Sequence, residues 1–280
     1  MTRLAFLLRR GVSAVLTLFV LLFVLLAFLK LFGSTNTSPD AIEKISDPRL
    51  LAKIASESKD PSISQLAIAR LNDQTMLEKV VAEIKDSHNR AYAISKLTNQ
   101  TLLVKIIAEE KDSPVRRAAV SGLRNLGSLA RLALQDPDPG VREAAIFTIT
   151  HDKWATGLLS LAQTDCENDG LQSLLAEVAV EDKVDSVRIA ALETLTNQIV
   201  LATLATADKS ILVRIVAVHN LTNQTALASV ALKDENVLVR RNAVPNINDQ
   251  ALLASLVDGD KDPEVRRAAV NSLTRLKRKP

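Results

Sequence analysis

Seven arginines recur at a fixed spacing in this 280-residue chain, and they are the first residues to consider for chemistry. Each lies in a Val- or Leu-rich context: Arg90, Arg116, Arg142, Arg188, Arg214, Arg240 and Arg266. Successive members are 26 residues apart, except that 46 residues separate Arg142 from Arg188. Guanidinium groups at equivalent positions of stacked units could form a row that binds an anionic ligand. Because Asp or Glu accompanies most of them, the sequence favours an internal ladder of ion pairs, and these arginines are interpreted as structural repeat positions.

Glutamines follow the same spacing once the longer step is passed. They close a Leu-Thr-Asn-Gln turn or a close variant of it, at Gln74, Gln100, Gln198, Gln224 and Gln250. An amide both donates and accepts hydrogen bonds, so such a row could contact a ligand. We favour the other interpretation, in which each amide satisfies backbone groups of the loops.

Residues of the kinds that catalyse reactions or bind metals are sparse. His88, His151 and His219 are followed by Asn or Asp, and no carboxylates recur beside them at the repeat spacing, so the sequence indicates no metal site. Cys166 is the only cysteine and has no histidine near it that could activate it. The chain also lacks a Gly-rich phosphate loop and a nucleophile elbow. We therefore expect no catalytic residue, no cofactor and no enzymatic activity.

The 46-residue step indicates an insertion near residues 150–170, the one departure from the period. We expect an added helix at about 153–164, followed by an acidic loop at 165–170. Insertions in repeat arrays often lie on a binding face, and tryptophan is enriched at interface hot spots. The candidate partner contacts are Trp154, Asp165, Glu167 and Asp169. The alternative for Trp154 is packing in an irregular joint between units.

The repeat predicts two short helices in each unit. The first helix starts four residues before the arginine, after a residue of the type that caps helices: Asp86, Asp112, Asp138, Ser210, Asn236 or Asp262. In one such helix Val115, Ala119 and Leu123 recur on a single face, and the second helix follows the glutamine turn. Helices of about ten residues are too short to be stable alone. They must pack on their neighbours, which predicts an α-solenoid.

The pattern D-x-x-V-R-x-A-A-x-x-x-L, followed by a short turn and a second amphipathic helix, resembles the bacterial HEAT-like repeat of the kind found in phycobilisome lyases. It is also similar to the leucine-rich variant repeat. The resemblance covers about residues 40–280 and implies an all-α, right-handed α–α superhelix. Such arrays usually serve as platforms for protein–protein interaction, and the resemblance therefore favours a scaffold. The alternative is a lyase or oxidoreductase-like HEAT protein, or a subunit of one.

The N-terminal segment is of a different kind. Residues 12–29 are apolar apart from Ser13 and Thr17, and as a helix they would span about 27 Å, close to the thickness of a bilayer's hydrocarbon core. We expect an uncleaved transmembrane signal anchor at 12–32; a cleaved signal peptide and a buried core helix are the alternatives. Basic residues are more frequent before this segment than after it, which predicts a cytoplasmic N-terminus and an extracytoplasmic array.

These features predict five segments. They are a short cytoplasmic N-terminus (1–11), the anchor (12–32), a linker (33–39), an array of about nine units (40–273) and a basic tail (274–280). Residues 1–33 carry four basic residues and no acid, and the tail carries four more, which leaves 27 basic against 32 acidic residues elsewhere. This balance argues against nucleic acid as a partner. The sequence favours a membrane-anchored scaffold with a protein partner, and a purely architectural membrane spacer is the second alternative.

Overall fold

The computed structural model describes residues 38–151 and 165–277 of the chain. Within these two ranges it contains 17 α-helices, one short 3₁₀ helix and no β-strand. None of the helices in the described ranges is long and apolar enough to cross a membrane. The expected anchor at 12–32 lies outside the described residues.

The contacts between Cα atoms divide the chain into two units, residues 1–96 and 97–280. The described helices of the first unit are α1 (Pro39–Glu43), α2 (Pro48–Glu57), α3 (Pro61–Arg70), α4 (Gln74–Glu83) and α5 (Ser87–Ser95). In this unit α1 packs on α3, α3 on α5, and α2 on α4.

The second unit contains the remaining helices. They are α6 (Gln100–Glu109), α7 (Ser113–Ser121), α8 (Leu126–Gln135), α9 (Pro139–His151), α10 (Asp165–Glu181), α11 (Asp185–Leu192), α12 (Gln198–Ala207), α13 (Ile211–Asn220), α14 (Gln224–Lys233), α15 (Val237–Ala243), α16 (Gln250–Gly259) and α17 (Pro263–Lys277). The 3₁₀ helix Val244–Asn246 follows α15 directly.

Helices of the second unit form two layers. The A helices are those that begin just before a repeat arginine, and α7, α9, α11, α13, α15 and α17 pack on one another in that order. The B helices lie between them along the chain, and α8, α10, α12 and α14 pack in the same successive way. Each described unit is therefore an all-helical array with packing between neighbouring helices, which is compatible with a helical-repeat solenoid.

Side-chain capping marks the start of many helices, although the expected cap Ser210 makes no such hydrogen bond. From α3 to α17, every second helix begins 26 residues after the previous one, except for a step of 46 between α9 and α11. Asp86 accepts a hydrogen bond of 2.8 Å from the backbone N–H of Asn89 at the start of an A helix. In the turn before a B helix, Asn223 accepts one of 3.0 Å from the N–H of Ala226. Side-chain oxygens thus satisfy N–H groups that the first turn of a helix leaves free.

An alanine at one position of every A helix of the second unit allows these helices to approach closely. These alanines are completely buried: Ala119, Ala145, Ala191, Ala217, Ala243 and Ala269. Around them the larger buried side chains of the unit form one continuous apolar cluster from Val120 to Ala269. A residue with no side-chain atom beyond Cβ lets neighbouring backbones come near without leaving voids.

Two segments differ from the expected organisation. The segment 165–170 is helical, not a loop, because α10 begins at Asp165 and continues to Glu181. Acidic residues are favourable near a helix N-terminus, where they complement the macrodipole, so they are compatible with a helix start as well as with a loop. Residues 274–277, expected to belong to the tail, continue α17, since Leu276 packs against the core and the Arg275 guanidinium donates to the Pro245 carbonyl.

Candidate interaction surface

Five of the repeat arginines form ion pairs with an aspartate in a following turn from a B helix to an A helix. The pairs are Arg116–Asp136, Arg142–Asp182, Arg188–Asp208, Arg214–Asp234 and Arg240–Asp260. The partners are 20 residues apart, or 40 for Arg142, whose partner lies beyond the insertion. Together they form a ladder that joins successive repeats.

The Arg214 side chain shows how the ladder is built. Its Nε donates to Asp234 Oδ2 at 2.8 Å and its Nη2 to Asp234 Oδ1 at 3.1 Å. Its Nη1 donates to the backbone carbonyl of Asp208, at 2.8 Å, so one guanidinium joins two consecutive turns. Asp234 also accepts a hydrogen bond of 2.8 Å from the Asn236 N–H, and both ionised side chains are less than a tenth exposed.

For three of its members, Asp182, Arg188 and Asp260, the ladder favours the charged form by shifting the pKa. Burial raises the pKa of Asp182, but hydrogen bonds from Arg142 and from the Val184 N–H outweigh it, so the pKa lies below its ordinary value. The pKa of Asp260 is lowered for the same reasons, with Arg240 as the donor. Burial lowers the pKa of Arg188, yet its bonds to Asp208 reverse this effect and raise it. These arginines are therefore committed to the scaffold and are not available as a row of ligand contacts.

Arg90 and Arg266 contact carbonyl groups. Arg90 Nε donates to the Val81 carbonyl at 3.2 Å, and Arg266 Nη1 donates to the Asp260 carbonyl at 2.7 Å. The bond made by Arg266 is the same one that Arg214 makes to the turn before its own helix.

The glutamines form a second internal ladder, at the turns from A to B helices. Gln198 Nε2 donates to the Asn220 carbonyl at 3.2 Å, and its Oε1 accepts from the Thr222 N–H at 2.8 Å. Gln100, Gln172 and Gln224 contact the following turn in the same way. Amide groups that are satisfied by backbone in this way stabilise the repeat joints.

Two of the described histidines, His151 and His219, make side-chain contacts within the array. The His151 ring stacks on Phe147 with a centroid separation of 4.4 Å, and His219 Nε2 lies 3.1 Å from Asn242 Oδ1. Among the side chains that the structure describes, in residues 38–151 and 170–277, no three of His, Cys, Asp or Glu are grouped so that they could hold a metal ion.

The four residues that the sequence suggests as partner contacts are only partly described. Trp154 lies in the segment 152–164, outside the described residues. The backbone of Asp165, Glu167 and Asp169 belongs to the first turns of α10, and their side chains are not described. Their role as contacts stays a prediction.

Apolar side chains that the sequence analysis did not single out are exposed or half-buried on consecutive A helices. We call this surface the A-layer patch; it consists of Phe147, Ile189, Leu212, Ile215 and Leu238, on the consecutive helices α9, α11, α13 and α15. Phe147 is 60% exposed, Leu212 61% and Leu238 42%, while the two isoleucines are half-buried. The sequence offered one signal for this surface: Leu212 and Leu238 are one period apart, at a position where the other units carry His, Pro, Gly, Ser or Glu.

One end of the A-layer patch lines a groove of about 410 Å³ across α7, α9 and α11. Phe147 and Ile189 form its apolar part, and Arg117, Glu143 and Glu193 supply charges beside them. The Glu143 carboxylate accepts a hydrogen bond from the Ser186 hydroxyl, which links two of the three helices. An apolar centre with a charged rim is the usual anatomy of a protein interface.

Neither the protein-family models nor the curated proteins contain a match to this chain. The interpretation of the A-layer patch as an interaction surface therefore depends on the geometry and exposure of its own residues.

Proposed function

We propose that this protein is a membrane-anchored, right-handed HEAT-like repeat protein that acts as a scaffold for another protein. The observation that supports the proposal is the A-layer patch, where consecutive repeats expose large apolar side chains. The conspicuous repeat residues, in contrast, bond within the scaffold. A surface that repeats along an array suits an extended partner, since equivalent contacts recur from one helix to the next.

Phe147 is the residue from which we expect the largest contribution to the proposed contact. Only 3% of the chain is aromatic, and this phenylalanine is 60% exposed at the edge of a groove. Large aromatic side chains that enter a partner's pocket contribute much of the energy of an interface. Arg117 and Glu193 in the rim of the groove would then select the orientation of a partner with complementary charges.

The membrane part of the proposal comes from the sequence. The apolar run 12–29, with Arg9 and Arg10 before it and Lys30 after it, supports a single-pass anchor at 12–32 with a cytoplasmic N-terminus. The array would then meet its partner on the extracytoplasmic side. Trp154 and the acids Asp165, Glu167 and Asp169 are proposed as a second contact region, in the insertion.

Crosslinking in intact cells tests the proposal. The wild-type chain should give a reproducible crosslinked protein, identified by mass spectrometry, and Phe147→Asp or Leu212→Glu should reduce its yield at least tenfold. Ile199→Glu is the matched control, because Ile199 is 80% exposed but lies on a B helix. The yield of the crosslinked protein should be the same with this variant as with the wild-type chain.

Two outcomes would contradict the proposal. If no reproducible interactor is found, the chain is an architectural membrane spacer. If the A-layer variants bind normally, while Trp154→Ala with charge reversal at Asp165, Glu167 and Asp169 abolishes binding, the insertion is the contact surface and the A-layer patch is not.

A further inference from the structure

We propose that the outer side of α16 and α17 is a docking site for a helical-repeat partner that presents an aspartate at the C-terminal end of a helix. We call this surface the terminal face and define it by Val257, Arg266, Val270 and Leu273. It is distinct from the A-layer patch and does not depend on the scaffold function proposed above.

The terminal face has the composition of an internal joint between repeats. Val270 is 46% exposed, whereas the residues one, two and three units earlier, Val244, Val218 and Leu192, are completely buried. In those units the next pair of helices covers the position. Val270 thus has the residue type of a covered position, and no described residue covers it in the same way.

Two further apolar residues show the same difference. Leu273 is half-buried, although its equivalents Ile247 and Leu221 are each only 1% exposed. Val257 is half-buried, while Ala231, one unit earlier, is completely buried. Three positions on two helices therefore form one apolar surface of the kind that elsewhere packs against a following repeat.

Arg266 identifies the chemistry of the missing contact. Its Nη1 donates to the Asp260 carbonyl at 2.7 Å, as Arg240 Nη1 donates to the Asp234 carbonyl at 3.0 Å. Arg240 also binds the Asp260 carboxylate through Nε and Nη2, at 3.0 and 3.1 Å. Among the residues that the structure describes, Arg266 makes no such contact with a carboxylate. Its guanidinium is held by the Asp260 carbonyl through Nη1, and no described residue supplies a bidentate carboxylate like the one that Arg240 binds.

Charge favours the same partner. Arg266 is the charged member of the terminal face, and an arginine keeps its positive charge at any physiological pH. An incoming carboxylate would gain two charge-assisted hydrogen bonds from it. In the ladder the acceptor is always the aspartate that ends a B helix, which is why we specify a helix C-terminus and not an acidic segment of any shape.

A second copy of this chain, stacked through its first repeats, fits less well. The positions of the ladder aspartate in those repeats, 78 and 52 residues before Asp136, hold Ser58 and Ile84. Neither side chain can give Arg266 a carboxylate. A different protein, with an aspartate at this position, satisfies both the apolar and the ionic parts of the terminal face.

A helical peptide provides the probe. Residues 248–262, constrained as a helix by an i,i+4 staple on its exposed side, contain α16 and Asp260, the sequence that fills the preceding joint. Titration of the labelled peptide with the full chain should show saturable binding by fluorescence anisotropy. Asp260→Asn in the peptide, or Arg266→Gln in the full chain, should weaken binding about tenfold or more, as expected for hydrogen bonds to a charged group.

Arg267→Gln is the matched control, because Arg267 is the adjacent, exposed arginine of the same helix; this variant should bind the peptide within about twofold of wild type. Absence of saturable binding, or equal loss with Arg266→Gln and Arg267→Gln, would overturn the proposal. So would sedimentation that shows a dimer of the full chain abolished by Arg266→Gln, since the occupant would then be a second copy.

Discussion

Replacing Asp234 with alanine should be among the most destabilising single changes in the second unit. The substitution removes two hydrogen bonds, of 2.8 and 3.1 Å, and leaves the Arg214 guanidinium charged with only 7% of its side chain exposed. Removal of one partner of a buried ion pair costs about 3–5 kcal/mol, because the other charge remains desolvated. The Asn236 N–H also loses its acceptor. We expect the free energy of unfolding of the repeats around Asp234 to fall by about 4 kcal/mol.

The adjacent residue gives a matched control. Glu235 Oε1 lies 4.0 Å from the same Arg214 Nη2, but its side chain is 92% exposed. Solvent screens a pair of this kind, so Glu235→Ala should change the free energy of unfolding by well under ~1 kcal/mol. The two substitutions differ in the burial of the carboxylate and hardly at all in position along the chain.

Amide hydrogen exchange on the full chain is the suitable assay, because repeat arrays open locally and a single global unfolding transition is not assured. Protection of the amides in α12–α15 should fall by several hundredfold in Asp234→Ala, at about tenfold for each 1.4 kcal/mol. In Glu235→Ala it should hardly change. The double variant Arg214→Met with Asp234→Ala should recover part of the loss, since no charge is then left without a partner. If Asp234→Ala loses no more protection than Glu235→Ala, the ladder does not hold the repeats together and the reasoning is refuted.

Four other outcomes are expected. The ladder holds the pKa of Asp182 and Asp260 below the unfolded value of about 3.9, so the unfolded chain binds protons first as the pH falls. The free energy of unfolding, measured by urea titration, should therefore decrease below about pH 5. A flat profile from pH 7 to pH 3 would contradict this. Gln198→Leu, which introduces the residue found at this position in one other unit, should lower the free energy of unfolding in urea by about 1 kcal/mol. The reason is that turn N–H and carbonyl groups lose their partners. An unchanged free energy would show that water replaces the amide. Ala217→Leu should cost about 1–3 kcal/mol by overpacking the joint between A helices, visible as a lower Tm, and an unchanged Tm would refute close packing there. A topology reporter fused after Pro280 should give an extracytoplasmic signal, and a cytoplasmic one would show that the predicted orientation is wrong.

Local signals made much of the fold predictable from the sequence. Capping residues such as Asp86 and Asn236 act within their own turn, so their spacing alone located the starts of the A helices. Local signals gave a wrong prediction at 165–170, where acidic residues at a helix N-terminus were interpreted as a loop. They also gave a wrong prediction at 274–277, where the basic residues indicated a tail although Leu276 packs against the core.

The candidate surfaces depended on contacts that no local pattern contains. The 26-residue period by itself determined that this protein is built from repeated helices, and the residue types indicated that each arginine would find an acid. Which acid it takes was decided by stacking, since Arg142 reaches Asp182, 40 residues away, across the insertion. Stacking also decided that Phe147 and Leu212 stay exposed, and that Val270 lacks the cover that Val244 has. Exposure depends on which face the next helix covers, and that is a property of the packed array and not of the residues one at a time.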